Sequence, residues 1–153
     1  SGFSEKATIV SDLTFVSVGT VVTETAAVDN SFLDCQNCGN CDVFTATSGS
    51  FQESTGTIYQ SNSNCQWVIA PTGASEVAIR FTTFVTEFGW DFVWVYSCAD
   101  VKCSMSGRKL LHDRLTGWNY GLTARSDTGI MMIEFFSDGC CNEEGFEVEW
   151  TSS

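Results

Sequence analysis

The segment from Ile130 to Trp150 constrains the fold more than any other stretch of the sequence. It begins with an apolar run of strand length, Ile-Met-Met-Ile-Glu-Phe-Phe, and ends with Gly-Phe-Glu-Val-Glu-Trp. In the second run three large apolar side chains alternate strictly with two glutamates, and this period of two places them on opposite faces of a sheet. The segment therefore predicts two core strands joined by a polar loop, which carries Asp138 and two adjacent cysteines.

Most of the remaining chain also has the pattern of short strands separated by turns. The sequence contains 12 Phe, 5 Trp and 1 Pro, with many Val and Thr residues, and no long run has helical spacing. Turn signals recur about every 8–12 residues, which is typical of an antiparallel β-sandwich. We therefore predict an all-β fold. The further predicted strands are Val43–Phe51, Thr57–Tyr59, Cys65–Ala70, Glu76–Phe84, Asp91–Tyr96, Leu110–Leu115 and Gly121–Arg125.

Residues 1–34 form a strand-forming arm without cysteine, which we separate from a sandwich domain at residues 35–153. The arm is apolar on both faces, so it requires burial in its own sheet or in that of a neighbour. Donation of the arm to another copy would give a head-to-tail filament, whereas folding back would cover the chain's own sandwich. The residues expected to contact a partner copy are Leu13, Phe15, Val16, Val18, Val21 and Val22.

Charge and cysteine content restrict the compartment and the class of partner. The formal net charge of −12 repels nucleic acid and anionic lipid, and no apolar segment reaches the roughly 20 residues of a membrane span. The 8 cysteines indicate an oxidising, extracellular environment with four disulfides, and we expect a secreted protein. Cys35, Cys38 and Cys41 have a spacing compatible with a thiolate metal site, but disulfides are the favoured interpretation.

Several motifs in order resemble the CUB domain, a β-sandwich module of extracellular proteins. The resemblance covers residues 41–152, and it implies a CUB-like jelly roll. The matching segments are Ser48-Gly49, Gly56-Thr-Ile58, Asn64-Cys65-Gln-Trp67-Val-Ile69, Val77-Ala-Ile79-Arg-Phe81, Asp91-Phe92-Val93-Trp94-Val95, Phe136-Ser137-Asp138-Gly139 and Gly145-Phe146-Glu147-Val148-Glu149-Trp150.

The resemblance to calcium-binding CUB domains implies a Ca²⁺ site formed by Glu87, Asp91 and Asp138. Calcium takes 6–8 oxygen ligands, so backbone carbonyls and water would complete the shell. Two features depart from the family pattern. The connection from Glu87 to Asp91 is short and lacks a cysteine, and Cys140 stands where a serine ligand is common. The alternative is that the three residues are ordinary loop carboxylates.

The resemblance also implies a first bridge between Cys41 and Cys65. Cys98 and Cys103 are close enough in sequence to close their loop by a second bridge. The remaining pairs, on the same resemblance, are expected to join Cys35 and Cys38 to Cys140 and Cys141, since adjacent cysteines seldom bond to each other.

Catalysis has little support, so we expect a binding or assembly module and not an enzyme. His112 is the only histidine, beside Asp113, and no nucleophile motif accompanies it. The expected partners are proteins, including other copies of the chain, bound in a calcium-dependent way. The alternative is a carbohydrate- or protein-recognition module of a larger secreted protein, which would expose Trp90 and Trp118. Burial of these two side chains at the end of the sandwich is the favoured interpretation.

Overall fold

The computed structural model describes residues 28–153. The predicted contact residues of the arm, Leu13, Phe15, Val16, Val18, Val21 and Val22, lie outside the described residues. No helix in residues 28–153 has the length and apolar character that crossing a membrane requires.

Ten strands and one short 3-10 turn at Met105–Gly107 make up the regular structure of residues 28–153. The strands are β1 (Cys35–Gln36), β2 (Val43–Phe44), β3 (Ser48–Gln52), β4 (Asn64–Ile69), β5 (Val77–Val85), β6 (Phe92–Cys98), β7 (Arg108–Leu115), β8 (Thr123–Ser126), β9 (Met131–Phe136) and β10 (Gly145–Ser152). Strands β5 and β10 fall where apolar and polar side chains alternate in the sequence, whereas β6 and β9 fall on apolar runs.

The strands form two sheets, which confirms the predicted all-β antiparallel sandwich. The first sheet has the order β1-β4-β9-β6-β7, and the second has the order β3-β10-β5-β8. The one parallel pair among the described strands joins the short β2 to β4. Strands β9 and β10 lie in different sheets, so the polar loop that carries Asp138 crosses from one sheet to the other at one end of the sandwich.

Alternation along β10 fills the space between the sheets. Phe146, Val148 and Trp150 are buried, while Glu149 is exposed, as the period of two predicts. Trp67 of β4 lies with its ring edge-on to that of Phe146 at a centroid distance of 5.8 Å. The indole N–H groups of both tryptophans donate to backbone carbonyls, so their polar edges are satisfied inside the core.

Two predicted strands require correction. The segment Val43–Phe51 is divided into β2 in the first sheet and β3 in the second, because the chain changes sheets after Phe44. Thr57–Tyr59 is not a strand, since the backbone N–H of Tyr59 donates to the carbonyl of the loop residue Glu143 at 3.2 Å.

The disulfide pairing differs from the prediction in three of its four bridges. The structure contains the predicted Cys98–Cys103 bridge. The predicted Cys41–Cys65 bridge is replaced by Cys38–Cys65 and Cys35–Cys41, because the loop folds back and brings Cys38 beside the backbone of Asn64. Residues 35, 38 and 41 therefore offer no free thiol for a metal.

Cys140 and Cys141 bond to each other and do not reach the segment that contains Cys35 and Cys38. Those two cysteines already have partners nearby, and the two sulfurs of the adjacent pair lie next to the carboxylate of Glu87. The prediction that Cys140 and Cys141 form disulfides with Cys35 and Cys38 is therefore wrong.

Candidate metal centre and surrounding loops

The three predicted ligands converge at one end of the sandwich. Glu87 and Asp91 lie on the connection from β5 to β6, and Asp138 lies two residues after the end of β9. One carboxylate oxygen from each of the three residues lies within 4.8 Å of the others. Residues that are distant in sequence are brought together because β6 and β9 are neighbours in the first sheet.

Asp91 is the anchor of this cluster, which we call the acidic site. Its side chain is fully buried, and one carboxylate oxygen accepts the backbone N–H of Asp138 at 2.9 Å. The other oxygen accepts the hydroxyl of Tyr59 at 2.5 Å, and that hydroxyl in turn accepts the backbone N–H of Glu87 at 3.0 Å. Tyr59 therefore links two of the three carboxylate residues, a role that the strand prediction for its segment missed.

Backbone contacts fix the loops that carry the carboxylates. The N–H of Asp91 donates to the carbonyl of Glu87 at 3.1 Å, which closes a tight turn between β5 and β6. The hydroxyl of Thr86 donates to the carbonyl of Asp91 at 3.2 Å, and the N–H of Asn62 donates to the carbonyl of Asp138 at 2.8 Å. Hydrogen bonds thus connect three segments at the acidic site: the turn between β5 and β6, the loop of Asn62 and the loop of Asp138.

The electrostatics of the acidic site disfavour three ionised carboxylates without a cation. Burial raises the pKa of Asp91, although hydrogen bonds from Tyr59 and the Asp138 N–H act in the opposite direction. Burial, followed by the nearby charges of Asp138 and Asp91, raises the pKa of Glu87. Burial and the hydrogen bond to Asp91 also raise the pKa of Tyr59, so the phenol remains a donor.

A buried oxygen of Glu87 makes the three residues chemically compatible with a hard cation. Oε1 of Glu87 is buried and has no hydrogen-bond partner among residues 28–153, which is costly for a carboxylate in the absence of a ligand. The ion pairs among the described residues join Arg114 to Asp113 and Arg125 to Glu76, and neither includes an acidic-site residue. A cluster of carboxylate oxygens, without an ion pair to a basic side chain of residues 28–153, is the donor set that calcium prefers.

The vicinal disulfide lies directly beside the acidic site. The sulfurs of Cys140 and Cys141 and an oxygen of Glu87 all lie within 4.8 Å of one another. The backbone N–H of Cys140 lies 3.3 Å from a carboxylate oxygen of Asp138 and donates to it. The bridge therefore restricts the backbone close to Asp138, at the position where the sequence departs from the family pattern.

Exposed aromatic side chains lie on the connection between β5 and β6 and on the connection between β7 and β8. Trp90 is 62% exposed and Trp118 is 79% exposed, so the favoured expectation that both are buried is corrected. Phe88 and Tyr120 are exposed as well. The tight turn directs Glu87 and Asp91 inward and leaves Phe88 and Trp90, which lie between them, facing solvent. The exposure of these aromatic side chains depends on the turn and could not be predicted from the composition of the segment.

His112 has a structural contact on β7. Its Nε2 lies 2.8 Å from the carbonyl oxygen of Thr123, so this ring nitrogen is occupied by a hydrogen bond to β8.

A family model for the CUB domain matches residues 38–150. The chain belongs to the CUB domain family. The resemblance found in the sequence is confirmed, and the match begins at Cys38, three residues before the predicted start. CUB domains are non-catalytic modules that mediate protein–protein interactions and occur mostly in extracellular proteins.

Solved CUB structures share the fold of this chain. The crystal structure of the MASP-1 CUB2 domain bound to Ca²⁺ has a TM-score of 0.60 and 16% sequence identity, and the match covers 72% of this chain and 96% of that chain. The full extracellular region of zebrafish Gpr126/Adgrg6 has a TM-score of 0.59 and 24% identity, over 72% of this chain and 14% of that one.

Curated relatives are much longer than this chain. Putative protein tag-53 of Caenorhabditis elegans is 32% identical over 96 residues, which are 62% of this chain and 7% of the relative. Tolloid-like protein 2 of Homo sapiens is 29% identical over 94 residues, which are 61% of this chain and 9% of the relative. The CUB module of this chain therefore corresponds to a small part of each of these proteins.

Proposed function

We propose that this CUB module is a secreted, non-catalytic domain that binds protein partners in a calcium-dependent way. Glu87, Asp91 and Asp138 would hold the ion. The observation that supports this proposal best is the convergence of three carboxylates, one of which, Glu87, has a buried oxygen without a hydrogen-bond partner in the described part of the chain. The Ca²⁺-bound MASP-1 CUB2 domain, which has the same fold, provides independent support.

Bound calcium would neutralise the mutual repulsion of these carboxylates and connect the two loops that carry them. Asp91 is already positioned by Tyr59 and by the Asp138 N–H, so it would lose little conformational freedom on binding. Glu87 and Asp138 are only partly buried, so they would also face a partner. A Lys or Arg side chain is the complementary group for this negatively charged surface.

Calorimetric titration of chelator-treated protein with calcium tests the ion site. We expect one bound ion per chain for the wild type and at least a tenfold loss of affinity for Asp138→Ala, because removal of a charged ligand weakens a calcium site. Glu149→Ala is the matched control, since this carboxylate is exposed on β10 in the second sheet and should not change the titration. The absence of binding at millimolar calcium would contradict the proposal.

Self-assembly through the N-terminal arm is a second candidate, favoured by the sheet order. Within residues 28–153, β3 and β8 are the outer strands of the second sheet, so either could pair with a strand from another copy. Light scattering and negative-stain microscopy of the full chain and of residues 28–153, both with calcium, would distinguish the cases. Filaments from the full chain alone would support strand donation by the arm, whereas monomers from both would contradict it.

A further inference from the structure

The outer face of the first sheet, which points away from the core, carries an aromatic surface. Phe92 of β6 and Phe136 of β9 lie directly opposite each other, and opposite residues share one face of a sheet. Their chain neighbours Val93 and Phe135 are buried in the core, so both rings point outward. Trp94 shares this face, and its ring centre lies 6.0 Å from that of Phe92. We call Phe92, Trp94 and Phe136 the aromatic face.

The aromatic face is only partly covered within residues 28–153. Phe136 is 44% exposed, although it lies at the end of a central strand of the sheet. Phe92 and Trp94 are half-buried. Adjacent aromatic side chains with this much exposure on a sheet face indicate a surface that another segment covers.

The beginning of the described chain already covers the neighbouring part of the same outer face. Leu33 is buried in one cluster with Val68 of β4 and Met132 of β9. The backbone N–H of Gln66 donates to the carbonyl of Asp34 at 2.9 Å, which fixes this segment beside β4. The chain therefore enters the domain across the outer face of the first sheet.

A row of hydrogen-bonded polar groups lies between the covered part and the aromatic face. One carboxylate oxygen of Glu134 accepts the side-chain amide N–H of Gln66 at 2.8 Å, and the other accepts the hydroxyl of Tyr96 at 3.4 Å. The amide oxygen of Gln66 accepts the backbone N–H of Asp34 at 2.9 Å. Because this face already supplies hydrogen bonds to Glu134, a segment that covers it does not have to bring a basic side chain.

The chain before the described residues contains a segment of matching chemistry. Residues 13–23 read Leu-Thr-Phe-Val-Ser-Val-Gly-Thr-Val-Val-Thr, without a charged residue. The apolar side chains fit the aromatic face, and the hydroxyl groups fit the polar row beside it. An extended segment of this length spans up to about 36 Å, whereas Met132, beside Leu33, and Phe136 are only about 14 Å apart along β9. Residues 13–23 are thus long enough to cover the aromatic face.

We propose that residues 13–23 pack on the aromatic face of their own chain and complete the cover of the first sheet. The segment ends five residues before Val28, and so short a connection gives it a millimolar effective concentration at this face. Another copy carries the same net charge of −12, which opposes association between chains. Packing within the chain and strand donation to another copy use the same segment and exclude each other. The proposal does not depend on calcium binding.

Photo-crosslinking in the full chain tests the proposal. Phe136→p-benzoylphenylalanine places a photoreactive ring on the aromatic face, and mass spectrometry of the digest identifies the residues that it reaches. We expect crosslinks to residues 13–23. In a mixture of ¹⁴N- and ¹⁵N-labelled protein, they should join only segments with the same label, since the contact is within one chain. Glu149→p-benzoylphenylalanine, on the exposed side of β10, should give at least about fivefold fewer crosslinks to this segment.

Val18→Asp tests the apolar contact by a change outside the described domain. An aspartate here would lose its water close to Glu134, so we expect the crosslinking yield from position 136 to fall at least about fivefold. Ser4→Asp adds the same charge outside the segment and should leave the yield unchanged.

Three results would overturn the proposal. Crosslinks that join differently labelled chains would show that another copy covers the aromatic face. The absence of crosslinks from position 136 to residues 13–23 would show that this segment lies elsewhere. An equal yield with and without Val18→Asp would show that apolar packing does not hold the segment.

Discussion

Glu53 is a buried carboxyl group without full hydrogen bonding. It is 3% exposed; Oε1 accepts the backbone N–H of Phe146 at 3.1 Å, while Oε2 has no hydrogen-bond partner within residues 28–153. Burial raises the pKa of Glu53 to about 7, against 4.5 for an ordinary glutamate. The folded chain therefore keeps this proton up to about pH 7, whereas the unfolded chain releases it near 4.5. The contribution of Glu53 to stability is present below pH 4.5 and is lost as the pH rises to about 7.

Glu53→Gln should remove the loss of stability that the wild type shows as the pH rises from 4.5 to about 7. Glutamine resembles the protonated acid and never ionises. Relative to the wild type, we expect the variant to gain about 2–3 kcal/mol of unfolding free energy between pH 4.5 and pH 8. Urea unfolding at these two pH values, in chelator, measures the difference. Glu149→Gln, at an exposed site on β10, serves as the control. An identical pH dependence for Glu53→Gln and the wild type would contradict the assigned pKa.

Gly145 is required at the start of β10 for two separable reasons. Its φ of +86° disfavours any other residue, and a Cβ would overlap the carboxylate of Glu53. Gly145→Ala should therefore cost about 3 kcal/mol or more, combining backbone strain with a steric clash. Gly73 has a φ of +75° with nothing within 4 Å of an added Cβ, so Gly73→Ala should cost only about 1 kcal/mol. Equal losses in urea unfolding would show that the contact with Glu53 is unimportant.

Among the connecting elements, the loop at residues 137–144 combines the vicinal disulfide with a residue of the acidic site. The Cys140–Cys141 ring restricts the backbone beside Asp138, and Cys141 has a left-handed φ of +67°. Replacement of both cysteines by serine should release this restriction. We expect calcium affinity to fall about fivefold, which corresponds to about 1 kcal/mol of backbone ordering. Both cysteines are exposed, so the unfolding midpoint in chelator should change little. Unchanged calcium affinity would mean that the disulfide is not needed and that hydrogen bonds of Asp138 to Asp91 and Asn62 suffice to position its loop.

Elements with strict alternation could be predicted from the sequence, whereas elements defined by distant contacts could not. Strands β5 and β10 follow the predicted alternation closely, because alternation itself reports burial on one face. Thr57–Tyr59 has strand propensity, but its conformation is fixed by contacts with Glu143 and Asp91. The family resemblance identified the three carboxylates that the fold brings together. It gave no indication of Tyr59 as their link, nor of the direction in which Trp90 and Trp118 point.

The cysteine pairing shows the same limit of sequence reasoning. Eight cysteines allow many pairings, and the choice depends on which loops lie side by side. Cys98 and Cys103 close a local loop, so their spacing sufficed for the prediction. Cys38–Cys65 depends on the position of β1 beside β4, which only the three-dimensional structure establishes.

At the scale of the whole molecule, the acidic site joins the two sheets. Glu87 follows β5 of the second sheet, whereas Asp91 precedes β6 and Asp138 follows β9, both in the first sheet. An ion held by all three residues would therefore oppose separation of the sheets as well as movement of the loops. In the absence of an ion, the same carboxylates repel one another across that junction.

Calcium should consequently raise the unfolding temperature of the whole domain. An ion that binds only the folded state stabilises it by about 2.7 kcal/mol at a concentration one hundred times its Kd, and this corresponds to about 5–10 °C. Differential scanning calorimetry of the wild type in calcium, in magnesium and in chelator measures the shift. Magnesium should give a smaller shift, since it requires octahedral geometry and retains its water. Asp138→Ala, with at least tenfold weaker calcium binding, should show about half of the wild-type shift or less between calcium and chelator. An undiminished shift in Asp138→Ala would place the ion elsewhere, because the link between the sheets requires a ligand on the loop after β9.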